Sequence, residues 1–184
     1  MNRGRRGTAR AGAQPSGDNR VMAVFATDVE ISPARPDSAE ARAVLTDYFS
    51  EVASRIYGRE ATDAEVEAEM RADPSDHLCP PGGLFLVARA GQTVVGCVAL
   101  RLLPGGLGEI MRVFVEPAAR NRGVGALLMG TVEAAARGHG VTRVRLDTRM
   151  ELTEARRLYA RHGYHPTAPF NDGWADLWFE KALA

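Results

Sequence analysis

The sequence predicts an α/β protein of the α+β kind, with a mostly antiparallel sheet of about seven strands flanked by about four helices. Three observations carry this. At 184 residues the chain is the size of one domain with its own core. Its periodic segments fall in the order β-α-α-β-β-β-α-β-α-β-β. Three consecutive strand-like runs are joined by turns too short to hold a helix, which makes them an antiparallel meander. No internal repeat interrupts this pattern.

Residues 1–20 are Gly, Arg, Ala and polar residues with almost nothing to bury, and they read as a disordered basic tail. No apolar stretch follows the arginines, so a secretory signal is not expected. A translation start at Met22 is the alternative account of the tail. The domain proper is read as residues 21–184. An apolar, β-branched run from Val21 to Ile31 predicts a strand, bounded by Ser32, Pro33 and Pro36. Ala41, Val44, Leu45, Tyr48, Phe49, Val52 and Ile56 then recur at helical spacing and define one buried face. Asp37 with Glu40 resembles a capping box at the start of that helix. A second helix is expected to start at Thr62, with Glu65 completing a capping box, and to stop before Pro74.

The meander comprises Leu84–Ala90, Thr93–Leu103 and Leu107–Val115, punctuated by Ala90-Gly91-Gln92 and Pro104-Gly105-Gly106. A helix from Gly123 to Arg137 would turn Val124, Leu127, Leu128 and Val132 inward. Val141–Thr148 reads as a strand and Leu152–His162 as a helix stopped by Gly163. Tyr164–Phe170 and Trp174–Leu183 are the expected closing strands.

Composition narrows the function. Residues 1–20 hold five arginines against one aspartate, leaving 18 basic and 22 acidic side chains in the body. A mildly acidic body argues against a nucleic-acid groove, which needs clustered Lys and Arg. The longest apolar stretch, Val94–Leu100, is far short of the ~18 residues that span a bilayer, so no membrane partner is expected. Cys79 and Cys97 have neither redox nor metal spacing, nor do His77, His139, His162 and His165. No metal is expected, and a reducing cytoplasm fits the cysteine usage. Lys181 is the single lysine beside 22 arginines, a bias typical of GC-rich bacterial genomes.

The segment Glu109–Ala126, EIMRVFVEPAARNRGVGA, carries the chemistry. A strand ends at Val115, Pro117 forbids its continuation, and a basic, glycine-bearing loop opens a helix at Gly123. A helix start offers unpaired N–H groups and the positive end of the macrodipole, which suits a pyrophosphate. Gly123 and Gly125 leave room for phosphate oxygens beside the backbone, and Arg120 and Arg122 add charge for the same anion.

These residues resemble the GNAT superfamily of N-acetyltransferases, whose acetyl-CoA signature is met by Arg120, Gly123 and Gly125. EIMRVFV before it, VRLDT after it and EARRLYARHGY further on extend the resemblance over about residues 21–184. It implies a mixed sheet splayed between the fourth and fifth strands, with a bulge in the fourth that admits the pantetheine arm of acetyl-CoA. Backbone groups of Val113, Phe114 and Val115 would bind that arm. Arg120, Asn121, Arg122, Gly123, Val124, Gly125 and Ala126 would hold the pyrophosphate. A homodimer is compatible with the resemblance.

By the same resemblance Tyr159 is the general acid that protonates the departing sulfur, unless it simply packs beside Leu158. A phenol near ~10 can lend a proton to a thiolate whose acid lies near ~8.5. Glu109 falls at the place of a carboxylate base. Direct transfer is uphill, because a glutamate near ~4.3 faces an amine near ~10.4. Glu109 therefore works through water, has a raised pKa, binds the ammonium, or is a structural partner of Arg112. A backbone N–H near Val113 is the oxyanion donor that the resemblance suggests. Asp147 either orients loops or ends its strand. The acidic stretch from Glu60 to Asp76 is a solvated face or an attractor for a cationic acceptor. Phe170, Asn171 and Trp174 are the expected acceptor-binding residues, with Trp174 and Trp178 alternatively in the core. The reading is an acetyl-CoA-dependent N-acetyltransferase acting on a small-molecule amine. The alternatives are a protein lysine or N-terminal acetyltransferase and a non-catalytic acyl-CoA-binding regulatory module.

Overall fold

The computed structural model describes residues 25–173 and 175–183. The expected tail, a start at Met22, and Trp174 lie outside the described residues. Among these there are seven strands and four helices in the expected order: β1 Val29–Pro33, α1 Ala39–Tyr57, α2 Asp63–Ala72, β2 Gly83–Ala90, β3 Thr93–Leu103, β4 Leu107–Val115, α3 Val124–Gly138, β5 Arg143–Thr148, α4 Thr153–Arg161, β6 His165–Pro166 and β7 Leu177–Ala182. They form one sheet in the order β1-β2-β3-β4-β5-β7-β6. Only β4 and β5 pair in parallel; every other neighbour is antiparallel. Among the described residues no helix is long and apolar enough to cross a membrane.

The sheet separates two apolar layers. On one face Ala41, Val44, Leu45, Phe49 and Ala53 of α1 meet Phe85, Val87, Cys97 and Ala99. On the other Val124, Leu128, Met129, Val132 and Ala136 of α3 meet Leu86, Ala88, Val98, Leu100 and Ile110. The strand residues alternate between the layers because successive side chains point to opposite faces. Leu127, expected to face inward, is only half-buried, and Glu133 is buried in its stead. Glu133 accepts from Lys181 at 2.6 Å, so the chain's single lysine ties α3 to β7.

Helix ends follow their caps with one correction. The Ser38 hydroxyl accepts from the Ala41 N–H at 3.3 Å and caps α1. Asp37, expected in that role, is instead held at 2.9 Å by Arg35. The Thr62–Glu65 capping box forms as expected. Arg59 at 2.6 Å, together with the Thr62 N–H, holds the Glu65 carboxyl down to about 2. Gly163 ends α4 in the left-handed conformation, φ +80°.

The strands differ from expectation mainly at their ends. The first begins at Val29, not Val21; residues 21–24 lie outside the described residues. Ala26–Asp28 form a 3₁₀ turn, closed where the Asp28 carboxylate accepts the Phe25 N–H at 3.2 Å. β5 starts at Arg143 because the Val141 N–H is used by the end of α3, at the Ala136 carbonyl. The two closing strands shorten to His165–Pro166 and Leu177–Ala182. Pro166 has no N–H to continue a ladder, and Phe170 and Asn171 are drawn toward β5.

Two glycines separate close packing from free space. A Cβ on Gly96 would lie 2.5 Å from the Phe114 carbonyl oxygen on the neighbouring strand, where nothing can yield. Gly96→Ala is expected to cost about 1–3 kcal/mol, as overpacking does. A Cβ on Gly130, inside α3, meets nothing within 4 Å. Gly130→Ala is expected to gain about 0.5–1 kcal/mol from helix propensity. Urea melts of both variants against the parent check the pair of signs.

Candidate functional site

The site begins where two strands part. β4 and β5 pair only from Leu107 to Glu109, opposite Arg143 to Arg145. β5 continues to Thr148 against β7, whereas β4 bends away. The bend is a bulge: Arg112 and Val113 together oppose Val98, between the pairs Cys97–Phe114 and Ala99–Met111. Arg112 takes the left-handed conformation at φ +55°, unusual for a residue with a Cβ. The extra residue carries Arg112 to the α1 side. There its guanidinium lies 4.9 Å from the Phe49 ring centre, pairs with Asp73 at 2.9 Å and donates to Ser75 at 3.0 Å. The Cys97 thiol sits 3.3 Å from the Arg112 carbonyl and satisfies it. Burial pushes that thiol far above its ordinary pKa, so it stays protonated and keeps donating.

Beyond Val115 a 3₁₀ turn, Pro117–Ala119, leads into the loop before α3. Asn121 and Gly123 are both left-handed, at φ +60° and +85°. Gly123 occupies the N-cap position of α3, and no side chain caps that helix. Its first-turn N–H groups are therefore available to a ligand. Gly125 has a packing reason of its own, since a Cβ there would come within 3.2 Å of Leu158 on α4.

A cleft of about 620 Å³ runs along this loop, within the range of small-molecule and cofactor sites. Of the expected cofactor residues, Val113, Phe114, Val115, Arg120, Asn121, Gly123, Gly125 and Ala126 line it. Two do not. The Val124 side chain is buried in the core, and the Arg122 guanidinium lies 5.7 Å from the Phe25 ring centre. The opposite walls come from α1, through Tyr48, Glu51 and Arg55, and from α4, through Glu154, Leu158 and His162. The sequence reading missed these walls, because their spacing signals only amphipathic helices.

Two of the arginines that line the cleft, Arg120 and Arg55, are already paired. Arg120 donates to the Val115 carbonyl at 2.8 Å and to Glu51. Arg55 pairs with Glu51 and with Glu154, each at 3.0 Å. His162, placed by sequence in the last turn of α4 where a cation suits the dipole, is the C-cap, and burial lowers its pKa. Desolvation thus opposes the dipole there.

Tyr159 is 4% exposed, and its ring packs 6.0 Å from that of Tyr164 and 6.3 Å from that of Phe179. It follows Leu158, which lines the cleft, but does not itself line it. Burial drives its phenol well above the ordinary value, with Tyr48 and Asp147 adding in the same direction. Glu109 stands at the last paired rung before the split. Its oxygens are engaged by Arg101 at 2.5 Å and by Arg145 at 2.7 Å, not by Arg112. The Arg145 guanidinium in turn lies 4.0 Å from the Phe170 ring centre. Asn171 donates to Asp147 and accepts from the Trp178 indole, both at 2.8 Å. Trp178 is half-buried, not a core residue. Trp174 lies outside the described residues. Among the described residues no group of three His, Cys, Asp or Glu is placed to hold a metal ion.

Residues 45–164 match the acetyltransferase (GNAT) family, and the chain belongs to that family. It is 37% identical to an IAA acetyltransferase of Azospirillum brasilense over 58% of this chain and 72% of that one. Its fold is similar to that of a GNAT-family acetyltransferase from Staphylococcus aureus, with TM-score 0.69 and 16% identity over 85% of this chain and 99% of that one. It is also similar to the PaiA N-acetyltransferase from Thermoplasma acidophilum in complex with coenzyme A, with TM-score 0.67 and 20% identity over 84% and 98%. The protein is an acyl-CoA-dependent N-acetyltransferase.

The loop offers an uncapped helix start and a left-handed glycine, on a cleft that Val113–Val115 of β4 also line. In Gly123→Val a β-branched side chain would have to adopt φ +85°. The variant is expected to stay folded by circular dichroism and to lose calorimetrically detectable binding of coenzyme A.

Proposed function

We propose that this enzyme transfers the acetyl group of acetyl-CoA to a primary amine of a small-molecule acceptor by direct attack, with Tyr159 as general acid and Glu109 as water-mediated base. The observation that carries the reading is the uncapped start of α3, opening onto a cleft that is also lined by Val113–Val115, the stretch of β4 beyond its last rung with β5. Pyrophosphate at the helix start and pantetheine along Val113–Val115 bring the thioester toward the split.

The acceptor nitrogen attacks the thioester carbonyl, an amide bond forms and the carbon–sulfur bond breaks. One proton leaves the nitrogen and one reaches the sulfur. Both oxygens of Glu109 are held by guanidinium groups, which favours a proton route through water over direct contact with the amine. Tyr159 keeps its proton across the neutral range because burial raises its pKa. A raised phenol pKa makes donation to a thiolate more uphill, so the role rests on the hydroxyl reaching the sulfur directly past Leu158, which lines the cleft. The loop between β6 and β7, drawn onto β5 by Phe170 and Asn171, supports a small acceptor over a polypeptide, which needs a groove open at both ends.

An acceptor screen with thiol detection tests the reaction: acetyl-CoA with the right amine is expected to release free coenzyme A in step with acetylated product, and release no faster than the blank across a broad amine panel would refute it. Tyr159→Phe is expected to lower kcat by about 10²- to 10⁴-fold, the usual range for a lost general acid, while coenzyme A affinity stays close to the parent's. Glu109→Gln is expected to lower kcat about 10²-fold or more with coenzyme A affinity near the parent's; an unchanged kcat removes Glu109 from the base role.

A further inference from the structure

The turn that precedes β1 lies against the phosphate loop, and no sequence signal pointed to it. The Ala26 N–H donates to the Arg122 carbonyl at 3.0 Å. The Phe25 ring lies under the Arg122 guanidinium, 5.7 Å from ring centre to carbon. A Cβ built on Gly123 would meet the Ala26 methyl at 3.2 Å, so that methyl packs over the bare face of the glycine. Phe25 is otherwise one of the few large apolar side chains left exposed.

We propose that Phe25–Asp28 is a clamp that holds the phosphate loop in its binding geometry, with Ala26 the positioning residue. This rests on the assignment of the coenzyme A diphosphate to the start of α3. The reasoning is geometric. The Arg122 carbonyl and the Gly123 N–H belong to one planar peptide unit, and in a trans unit they point in opposite directions. Fixing the carbonyl on the Ala26 N–H therefore aims the Gly123 N–H away from the turn, and Gly123 lines the cleft. Left-handed residues flank Arg122 at 121 and 123, so this peptide unit can rotate at little cost unless something holds it. The clamp is itself rigid. Asp28 closes it twice, its carboxylate accepting the Phe25 N–H at 3.2 Å and its own N–H donating to the Phe25 carbonyl at 2.9 Å. It continues directly into β1, which is paired along its whole length with β2.

Ala26→Pro tests the bond. Proline has no N–H, and its ring would stand where the hydrogen now points. Ala26 opens the turn, where proline is tolerated, and Phe25 already has the extended backbone that precedes proline, at φ −105° and ψ 159°. In the full-length protein this variant is expected to raise the Kd for coenzyme A and the KM for acetyl-CoA about tenfold, the scale of one net hydrogen bond. The melting temperature and kcat at saturating acetyl-CoA should stay at the parent's values. Ala26→Gly keeps the N–H and is expected to restore parental affinity. Equal Kd in parent and Ala26→Pro overturns the clamp, as does a loss shared by Ala26→Gly, or a fall in kcat and melting temperature together with KM. If the parent itself binds no coenzyme A by calorimetry, the site assignment fails and the clamp fails with it, an outcome distinct from equal, measurable affinities.

Discussion

One extra residue in β4 is the constraint on which the site depends. Had the strand continued in register, Met111 and Arg112 would point to opposite faces and the fourth strand would follow its neighbours. With the bulge, Arg112 turns toward α1 and α2, and the strand leaves β5 after Glu109. A non-glycine residue in the left-handed region costs on the order of 1–3 kcal/mol. The contacts that offset this cost are specific: the guanidinium against Phe49, Asp73 and Ser75, and the Cys97 thiol on the carbonyl. Those contacts also fix where α1 lies, and α1 is one wall of the cleft. A strained residue, a helix position and a binding cavity are thus one packing solution.

Much of the fold could be read from the sequence, because its signals are local. The Thr62–Glu65 box, the Gly163 stop and the tight turns of the meander each act within a few residues, and the corresponding elements stand where expected. What failed was non-local. Val21–Ile31 reads as a strand from its composition, but the Ala26 N–H is taken by the Arg122 carbonyl, about a hundred positions away, and a turn results. The closing strands shorten because the loop between them finds partners on β5. Arg112 sits close to Glu109 in the sequence and looks like its partner; in the fold Arg112 goes to Asp73 and Ser75 at the end of α2, and Glu109 finds Arg101 and Arg145 on neighbouring strands.

The candidate site divides in the same way. The loop residues were visible because glycines between a strand and a helix have a direct physical meaning at a helix start. The walls from α1 and α4 were not, because Tyr48, Arg55 and His162 look like any half-buried helix face until the tertiary structure places them on the cleft. Asn171 was expected to meet the acceptor. It is already bonded to Asp147 and Trp178, which makes it a fastener of the loop as well as a candidate contact.

On the proposed placement of the diphosphate, the electrostatics of the cleft rank the groups that would select it. Arg120 and Arg55 are half-buried, and a half-buried guanidinium without a counterion is costly. Glu51 and Glu154 supply the counterions. An arriving phosphate that uses these arginines must displace carboxylates, so their contribution is the difference between two charge-assisted contacts, far less than either alone. The N–H groups at the start of α3 have no such competitor, since no side chain caps that helix, and any bond they make to a phosphate replaces only water. With the diphosphate so placed, the oriented main-chain dipoles around Asn121–Gly123 would therefore contribute more per contact than the paired Arg120 and Arg55, with Arg161 on the α4 wall a further cation at the cleft.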